Sequence, residues 1–457
     1  MDAELVVKDL VARARAAQVE FEKCSQEQVD EACRVIAKTI YDNAEPLARM
    51  AVEETRMGVY EDKVKKNQGK AKVIWNDLKG GKSVGIIGRD PEKGLTYVAK
   101  PMGVVGAVTP TTNPIVTPMC NAMFALKGRN AIIICPHPRS KKCSGEAVRL
   151  IKENLKALSY VPQDIIQIID EPTVELSGQV MKQCDVCIST GGMGMVRAAY
   201  ASGKPAFGVG AGNVQCMIDT DADLEKAIPM IIEGRRFDNG IICSGEQTAI
   251  MPKSIFAKAV EIFKKNGALY IDKPEDVAKL REVVFPNGTI DKNIVGQSAK
   301  VVADRCGFAH GDDLKVILVK ADTYGKDDLL SKEKMCPVIA TYDNLADWDE
   351  CIAAANANLN VEGKGHSVSI HSNNTADIEK AAQILPVSRF LINQICSTNN
   401  GGSLFNSLNP TTTLGCGSWG NNSISENLSW RHLFNVSRIA TVRPGAVAPT
   451  DAEIWGE

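Results

Sequence analysis

With 457 residues, 44% of them hydrophobic and 24% charged, the chain has ordinary globular composition and enough length for two or three domains. A formal net charge of −2 gives no case for nucleic acid or an anionic membrane surface as a partner. The start, Met1-Asp2-Ala3-Glu4, lacks the features of a signal peptide, and no apolar run reaches the roughly 18 residues of a membrane span, so a cytoplasmic protein is expected.

The chain opens with helical patterns. Val6, Leu10, Ala14 and Ala17 recur at helical spacing, and Ser25 with Gln28 forms a capping box ahead of Val29, Ala32, Cys33, Ile36 and Ile40. Between residues 83 and 100 two short apolar runs flank a polar turn, which predicts a hairpin. Short apolar runs at residues 104–109, 131–135, 165–169, 186–189 and 215–218 then read as buried strands, with helical patterns between several of them. A second set follows at residues 248–251, 315–319, 338–342, 367–370 and 390–393. The alternation predicts an α/β fold of two halves with a cleft between them.

The fourteen cysteines of a large chain without a leader read as reduced thiols. Cys184 and Cys187 make one isolated C-x-x-C, and no metal site is expected there. Cys243 sits in a polar, glycine-containing turn, residues 237–247, between apolar segments. A thiolate is a good nucleophile and a good leaving group, although a single cysteine is more often a packing residue. Asn113 follows the first strand of the α/β region, where its amide could donate to an oxyanion or simply make a turn. Two glycine-rich loops, residues 189–194 and 207–213, precede Cys243; the first joins a strand to a helix as a pyrophosphate site requires. The turn bearing His137, Pro138, Arg139, Lys141 and Lys142 could hold an adenosine phosphate or be a solvated surface. His366 is a candidate proton acceptor, with a structural role the commoner alternative.

Together these segments resemble the aldehyde dehydrogenase superfamily, and within it the CoA-acylating branch. The resemblance implies a Rossmann-type cofactor domain over residues 1–236 carrying the hairpin, a catalytic domain over 237–430, and an oligomerisation strand and tail over 431–457. It implies Cys243 as nucleophile and Asn113 as oxyanion donor. The cofactor, NAD or NADP, is expected at Thr109, Pro110, Thr190, Gly191, Gly192, Gly210, Gly212, Glu333 and Pro337, with the turn of His137, Pro138 and Arg139 nearby. Hydrolytic members carry a glutamate that activates water, whereas the matching stretch here, Gly208-Val209-Gly210-Ala211-Gly212, has no carboxylate. That departure points to coenzyme A as the acyl acceptor. Residues 57–63, 109–118, 239–247 and 414–427 look like bacterial CoA-dependent succinate semialdehyde dehydrogenases, which makes succinate semialdehyde the expected substrate. Sulfoacetaldehyde, a short uncharged aldehyde, and acyl transfer without redox chemistry are the alternatives. One of Arg235 and Arg236, just upstream of the Cys243 turn, is expected to hold the substrate's distal carboxylate, with Ser244 also at the substrate; exposed arginines on a solvated helix are the alternative. The hairpin and residues 433–442 are candidate inter-subunit strands of a homodimer or homotetramer.

Overall fold

Four helices precede the first strand in a computed structural model that describes residues 2–457: α1 Ala3–Phe21, α2 Gln26–Asp42, α3 Ala44–Thr55 and α4 Tyr60–Leu78. The capping box ahead of α2 is formed in both directions, Ser25 to Gln28 and back. Val29, Ala32, Cys33, Ile36 and Ile40 along its apolar face are all inaccessible to solvent. The predicted hairpin is present as β1 Gly85–Asp90 and β2 Leu95–Pro101.

The first α/β half runs β3 Val104–Val108, α5 Val116–Lys127, β4 Ala131–Cys135, α6 Lys141–Leu155, β5 Ile166–Ile168, α7 Val174–Gln183, β6 Val186–Thr190, α8 Met193–Tyr200 and β7 Ala206–Val209. Its strands form a parallel sheet of order β5-β4-β3-β6-β7. The chain builds outward from β3 to β5 and then returns to the other side of β3. This reversal opens a crevice at the carboxyl ends of β3 and β6. Strand β7 lies within a segment that reads as a glycine-rich loop. Its Gly208 is needed because a Cβ there would stand 2.8 Å from Val196 Cγ1 and 3.0 Å from Tyr200 Cε2 of the covering helix.

The second half contains β8 Gln215–Ile218, α9 Leu224–Arg236, β9 Thr248–Ala249, β10 Ala268–Ile271, β11 Val316–Lys320, β12 Val338–Thr341, β13 Val368–His371 and β14 Phe390–Ile392. Sheets of order β10-β11-β12-β9 and β14-β13-β8 meet through parallel bridges at Val214–Glu246 and Met217–Ile250. Strand β8 pairs along its length with β13, so it belongs to the second half and not to the first set of strands. The halves therefore divide between β7 and β8, ahead of the boundary expected at residue 236.

The last strand, β15 Phe434–Ala440, pairs with β2 of the same chain from Phe434–Pro101 to Ala440–Leu95. This closes a three-stranded sheet β1-β2-β15 within one chain. Leu428, Trp430 and Leu433 just before β15, with Phe434 at its start, complete the hydrophobic core of the first half. Asn130 Nδ2 donates to the Leu433 carbonyl at 2.6 Å, and a Cβ on Gly128 would stand 2.2 Å from that oxygen. Among the described residues, no helix is long and apolar enough to cross a membrane.

Replacing Ser25 with Ala removes the α2 cap and should lower unfolding free energy by about 1 kcal/mol, read as a shift in denaturant midpoint. Activity of the folded enzyme should be unchanged, because the cap lies outside the cavity beside Cys243.

Candidate active site

From the carboxyl end of β7 the chain passes to the amino end of β8 through residues 210–214. The carboxyl edge of the first sheet therefore faces the amino edge of the second. Cys243 lies between α9 and β9 at this junction, and it is the only one of the fourteen cysteines that is not fully buried. The turn leading to it is unusual. Asp238, Asn239 and Gly240 are all left-handed, with φ of 50°, 54° and 69°. For the two residues with side chains this costs on the order of 1 kcal/mol each.

Specific bonds hold that turn. The Asp238 N–H donates to Asp62 Oδ2 at 2.9 Å, and Asp238 Oδ1 accepts from the Val59 N–H at 2.9 Å. Asp238 Oδ2 accepts from Lys63 Nζ at 3.1 Å and from Lys66 Nζ at 2.5 Å. Asn239 Nδ2 donates to the Gly296 carbonyl at 2.9 Å. Burial would raise the Asp238 carboxyl, but the ammonium groups of Lys66 and Lys63 hold it below the ordinary range.

A cavity of about 350 Å³ opens beside Cys243. Asn113, Lys65, Lys66 and Lys70 line it, and among the described residues no carboxylate does. Lys66 Nζ also donates to Asn113 Oδ1 at 2.9 Å. Lys70 donates to the Gly401 carbonyl at 2.8 Å, and burial lowers its ammonium to about 8. Lys65 is largely exposed, 3.9 Å from Asp62.

On the other side of Cys243, a Cβ on Gly212 would come within 1.9 Å of the Cys243 carbonyl oxygen, so only glycine fits there. The Gly212 N–H donates to Glu333 Oε1 at 3.2 Å, and the Glu333 N–H donates to Glu362 Oε2 at 2.8 Å. Burial, with Glu362 adding to it, raises Glu333 to about 8. The Cys243 thiol is pushed up to about 12, first by burial and then by Glu333 and Cys416, with Arg389 opposing.

Thr109 and Pro110 follow β3, while Thr190 ends β6 and Gly191 and Gly192 follow it, on the two sides of the crevice. A Cβ on Gly191 or Gly192 would meet nothing within 4 Å, so internal packing does not demand glycine at either position. Open space before α8 fits a pyrophosphate approaching backbone N–H groups. Thr190 Oγ1 lies 3.0 Å from Thr413 Oγ1. In the turn after β4, His137 Nδ1 accepts from the Arg139 N–H at 3.1 Å. Lys141 pairs with Glu171, and Glu54 accepts from the Lys142 and Cys143 N–H groups at 2.9 and 2.8 Å. Of the three cations in that turn, Lys141 is thus paired with a carboxylate.

Residues 2–406 match the Aldehyde dehydrogenase family. The chain belongs to that family. It is 50% identical to the acetylating succinate-semialdehyde dehydrogenase of Clostridium kluyveri over 100% of both chains. The crystal structure of an acetylating aldehyde dehydrogenase from Geobacillus thermoglucosidasius matches with a TM-score of 0.93 at 36% identity, covering 98% of each chain. A propionaldehyde dehydrogenase of Rhodopseudomonas palustris, solved with bound CoA and an acylated cysteine, matches with a TM-score of 0.86 at 27% identity, covering 95% of this chain and 97% of that one.

Within this aldehyde dehydrogenase, several site residues stand elsewhere than the sequence suggests. Arg235 is inaccessible; its guanidinium donates to the Cys336 carbonyl, and Nε and Nη1 have no partner. Arg236 pairs with Glu233 one helical turn away, at 2.6 Å. Neither lines the cavity, so neither is placed to hold a substrate anion. His366 is also inaccessible, with both ring nitrogens unpartnered and burial lowering it to about 3. It does not line the cavity either. Ser244 does, but its hydroxyl donates to the Ser397 carbonyl at 3.0 Å. Pro337 is buried at the start of β12.

Lys66, Lys70 and Asp238 are the cavity and turn residues that sequence reading missed. Lys63, Lys66 and Lys70 sit at helical spacing along α4, amid buried Asn67, Ala71 and Ile74. Lysines on the apolar stripe of a helix were the available signal.

Alkylation of Cys243 by iodoacetamide, followed by mass spectrometry, should be slow at neutral pH and quicken as pH rises toward 12. Glu333 ionises near 8, so its charge opposes the thiolate only above that value. The Glu333→Gln enzyme should match the parent below pH 7 and react several-fold faster above pH 9; equal rates throughout would uncouple the two groups.

Proposed function

We propose that this enzyme oxidises succinate semialdehyde through a Cys243 thioester and passes the acyl group to coenzyme A, reversibly forming succinyl-CoA with NAD(P)H. The observation that carries the reading is the cavity beside Cys243, lined by lysines and free of carboxylates among the described residues. The relatives named above support it.

The Cys243 sulfur bonds to the aldehyde carbon as its proton leaves for solvent. Asn113 Nδ2 and the Cys243 N–H donate to the carbonyl oxygen as it gains charge. Thr190, Gly191, Gly192 and Glu333 would hold a nicotinamide, which supplies the hydride acceptor when bound. Without a carboxylate to activate water, the thioester waits for a stronger nucleophile. The thiol of coenzyme A takes the acyl group and Cys243 regains a proton. A dicarboxylic semialdehyde needs a cation at its far end. Lys70 spends one of its three donors on Gly401 and keeps two that can face the cavity. A sulfonate would be held in the same way, which keeps sulfoacetaldehyde as the second reading. In this reading the protein is a cytoplasmic homodimer or homotetramer, in which Ile439 and Val442, 54% and 88% exposed, are covered by a second copy.

Reduced-nicotinamide formation from succinate semialdehyde should continue only with coenzyme A, and stop after a single turnover without it. Steady turnover in its absence would mean that water resolves the thioester. Replacing Lys70 with Ala should raise KM for succinate semialdehyde by about 10-fold or more while changing that for propanal little. In the parent enzyme the difference between the two substrates should shrink above pH 8 as Lys70 loses its proton. Equal effects on both substrates would remove Lys70 from substrate recognition.

A further inference from the structure

Lys66 touches the two parts of the site that acyl transfer requires. Its side chain is 8% exposed, and its ammonium meets three acceptors: Asp238 Oδ2, Asn113 Oδ1 at 2.9 Å and the Thr112 carbonyl at 3.4 Å. An ammonium has three N–H donors and no acceptor. All three of its donors are used, so Lys66 has none left for a substrate anion, although it lines the cavity. This separates it from Lys70.

The same chemistry orients the Asn113 amide. Because Lys66 can only donate, the atom of Asn113 that faces it must be the oxygen. The amide nitrogen is thereby turned away from Lys66. We infer that Lys66 is a positioning residue of the oxyanion hole, turning the Asn113 amide so that Nδ2–H faces the carbonyl oxygen of the acyl group on Cys243. Through Asp238 the same ammonium also anchors the left-handed turn that carries Cys243. Nucleophile and oxyanion donor are referred to one charge. The inference rests on the acyl-transfer reading of Cys243 and Asn113.

Acylation by p-nitrophenyl acetate tests it without nicotinamide or coenzyme A. The Cys243 sulfur forms a bond to the acetyl carbon, the bond to the aryl oxygen breaks, p-nitrophenolate departs with the electron pair, and the thiol proton passes to water. The burst rate constant should fall about 10- to 100-fold in Lys66→Met, with the half-saturating ester concentration little changed. Lys66→Gln, which keeps an N–H donor without the charge, should recover part of the loss. In an Asn113→Ala background Lys66→Met should cost several-fold less than in the parent, because the part acting through Asn113 has nothing left to orient and only the part acting through the Asp238 turn remains. Full additivity of the two substitutions would overturn the inference. So would a Lys66→Met enzyme with the parent burst rate. If Lys66→Met fails to fold, as judged by circular dichroism, the same cycle run with Lys66→Gln decides the matter: coupling supports the role and additivity refutes it. Absence of a burst in the parent enzyme would instead strike at Cys243 as nucleophile, which keeps the two failures distinct.

Discussion

The Asp238 carboxylate, buried between the Lys63 and Lys66 ammonium groups, is the interaction on which the site depends. It joins α4 to the turn before Cys243, and Lys66 extends the connection to Asn113 at the end of β3. Three segments far apart in sequence thus meet at one charge cluster. Removing one partner of such a buried group typically costs about 3–5 kcal/mol, because the remaining charge is left in a poor solvent. The strained backbone at Asp238 and Asn239 persists because these bonds over-determine it. The strained turn before Cys243 places the sulfur at the cavity wall, partly accessible, where the other thirteen cysteines are all buried.

Periodicity made the outline of the fold legible. Alternating apolar runs located nearly all the parallel strands, and the Ser25–Gln28 pair located the start of α2. The difficulties arose where packing between distant segments overrode local pattern. In β7, Gly208 looks like loop chemistry, yet it is small so that Val196 and Tyr200 can cover the strand. In β8, nothing local says which sheet it joins; pairing with β13, some 150 residues later, decides that. The site divides similarly. Cys243, Asn113 and the loops around Thr190 were readable because their chemistry and their positions at strand ends go together. Arg235 misled because an arginine near a reactive turn looks like an anion site, when its guanidinium is buried against the Cys336 carbonyl. Lys66 and Lys70 were invisible because lysine on a helix is ordinarily a solvated residue, and only tertiary packing turns that face of α4 inward.

Two opposing electrostatic environments flank Cys243. Toward the acyl cavity are ammonium groups without carboxylates; on the other side Glu333, buried beside Glu362, retains a proton near neutral pH. The first side favours an oxyanion and an anionic substrate. On the second side burial keeps the resting sulfur protonated, and Glu333 adds its charge only above about pH 8, which leaves the thiol less open to oxidation or adventitious alkylation. A thiol protected in this way needs its partners assembled before it reacts. Gly212, pressed against the Cys243 carbonyl, lets that acidic side approach closely without placing a water-activating group on the thioester.

The contribution of Leu428, Trp430, Leu433 and Phe434 to the core of the first half has a consequence for biosynthesis. On the ribosome, β3 through β7 emerge long before these four side chains, and β2 emerges long before its partner β15. The amino-terminal half therefore leaves the exit tunnel with an open apolar seam and an unpaired strand edge, and must hold both until residues 428–440 have been made. Folding of the first half is finished by residues 428–440, which makes the interval before they emerge the period of greatest exposure to aggregation and to chaperone capture.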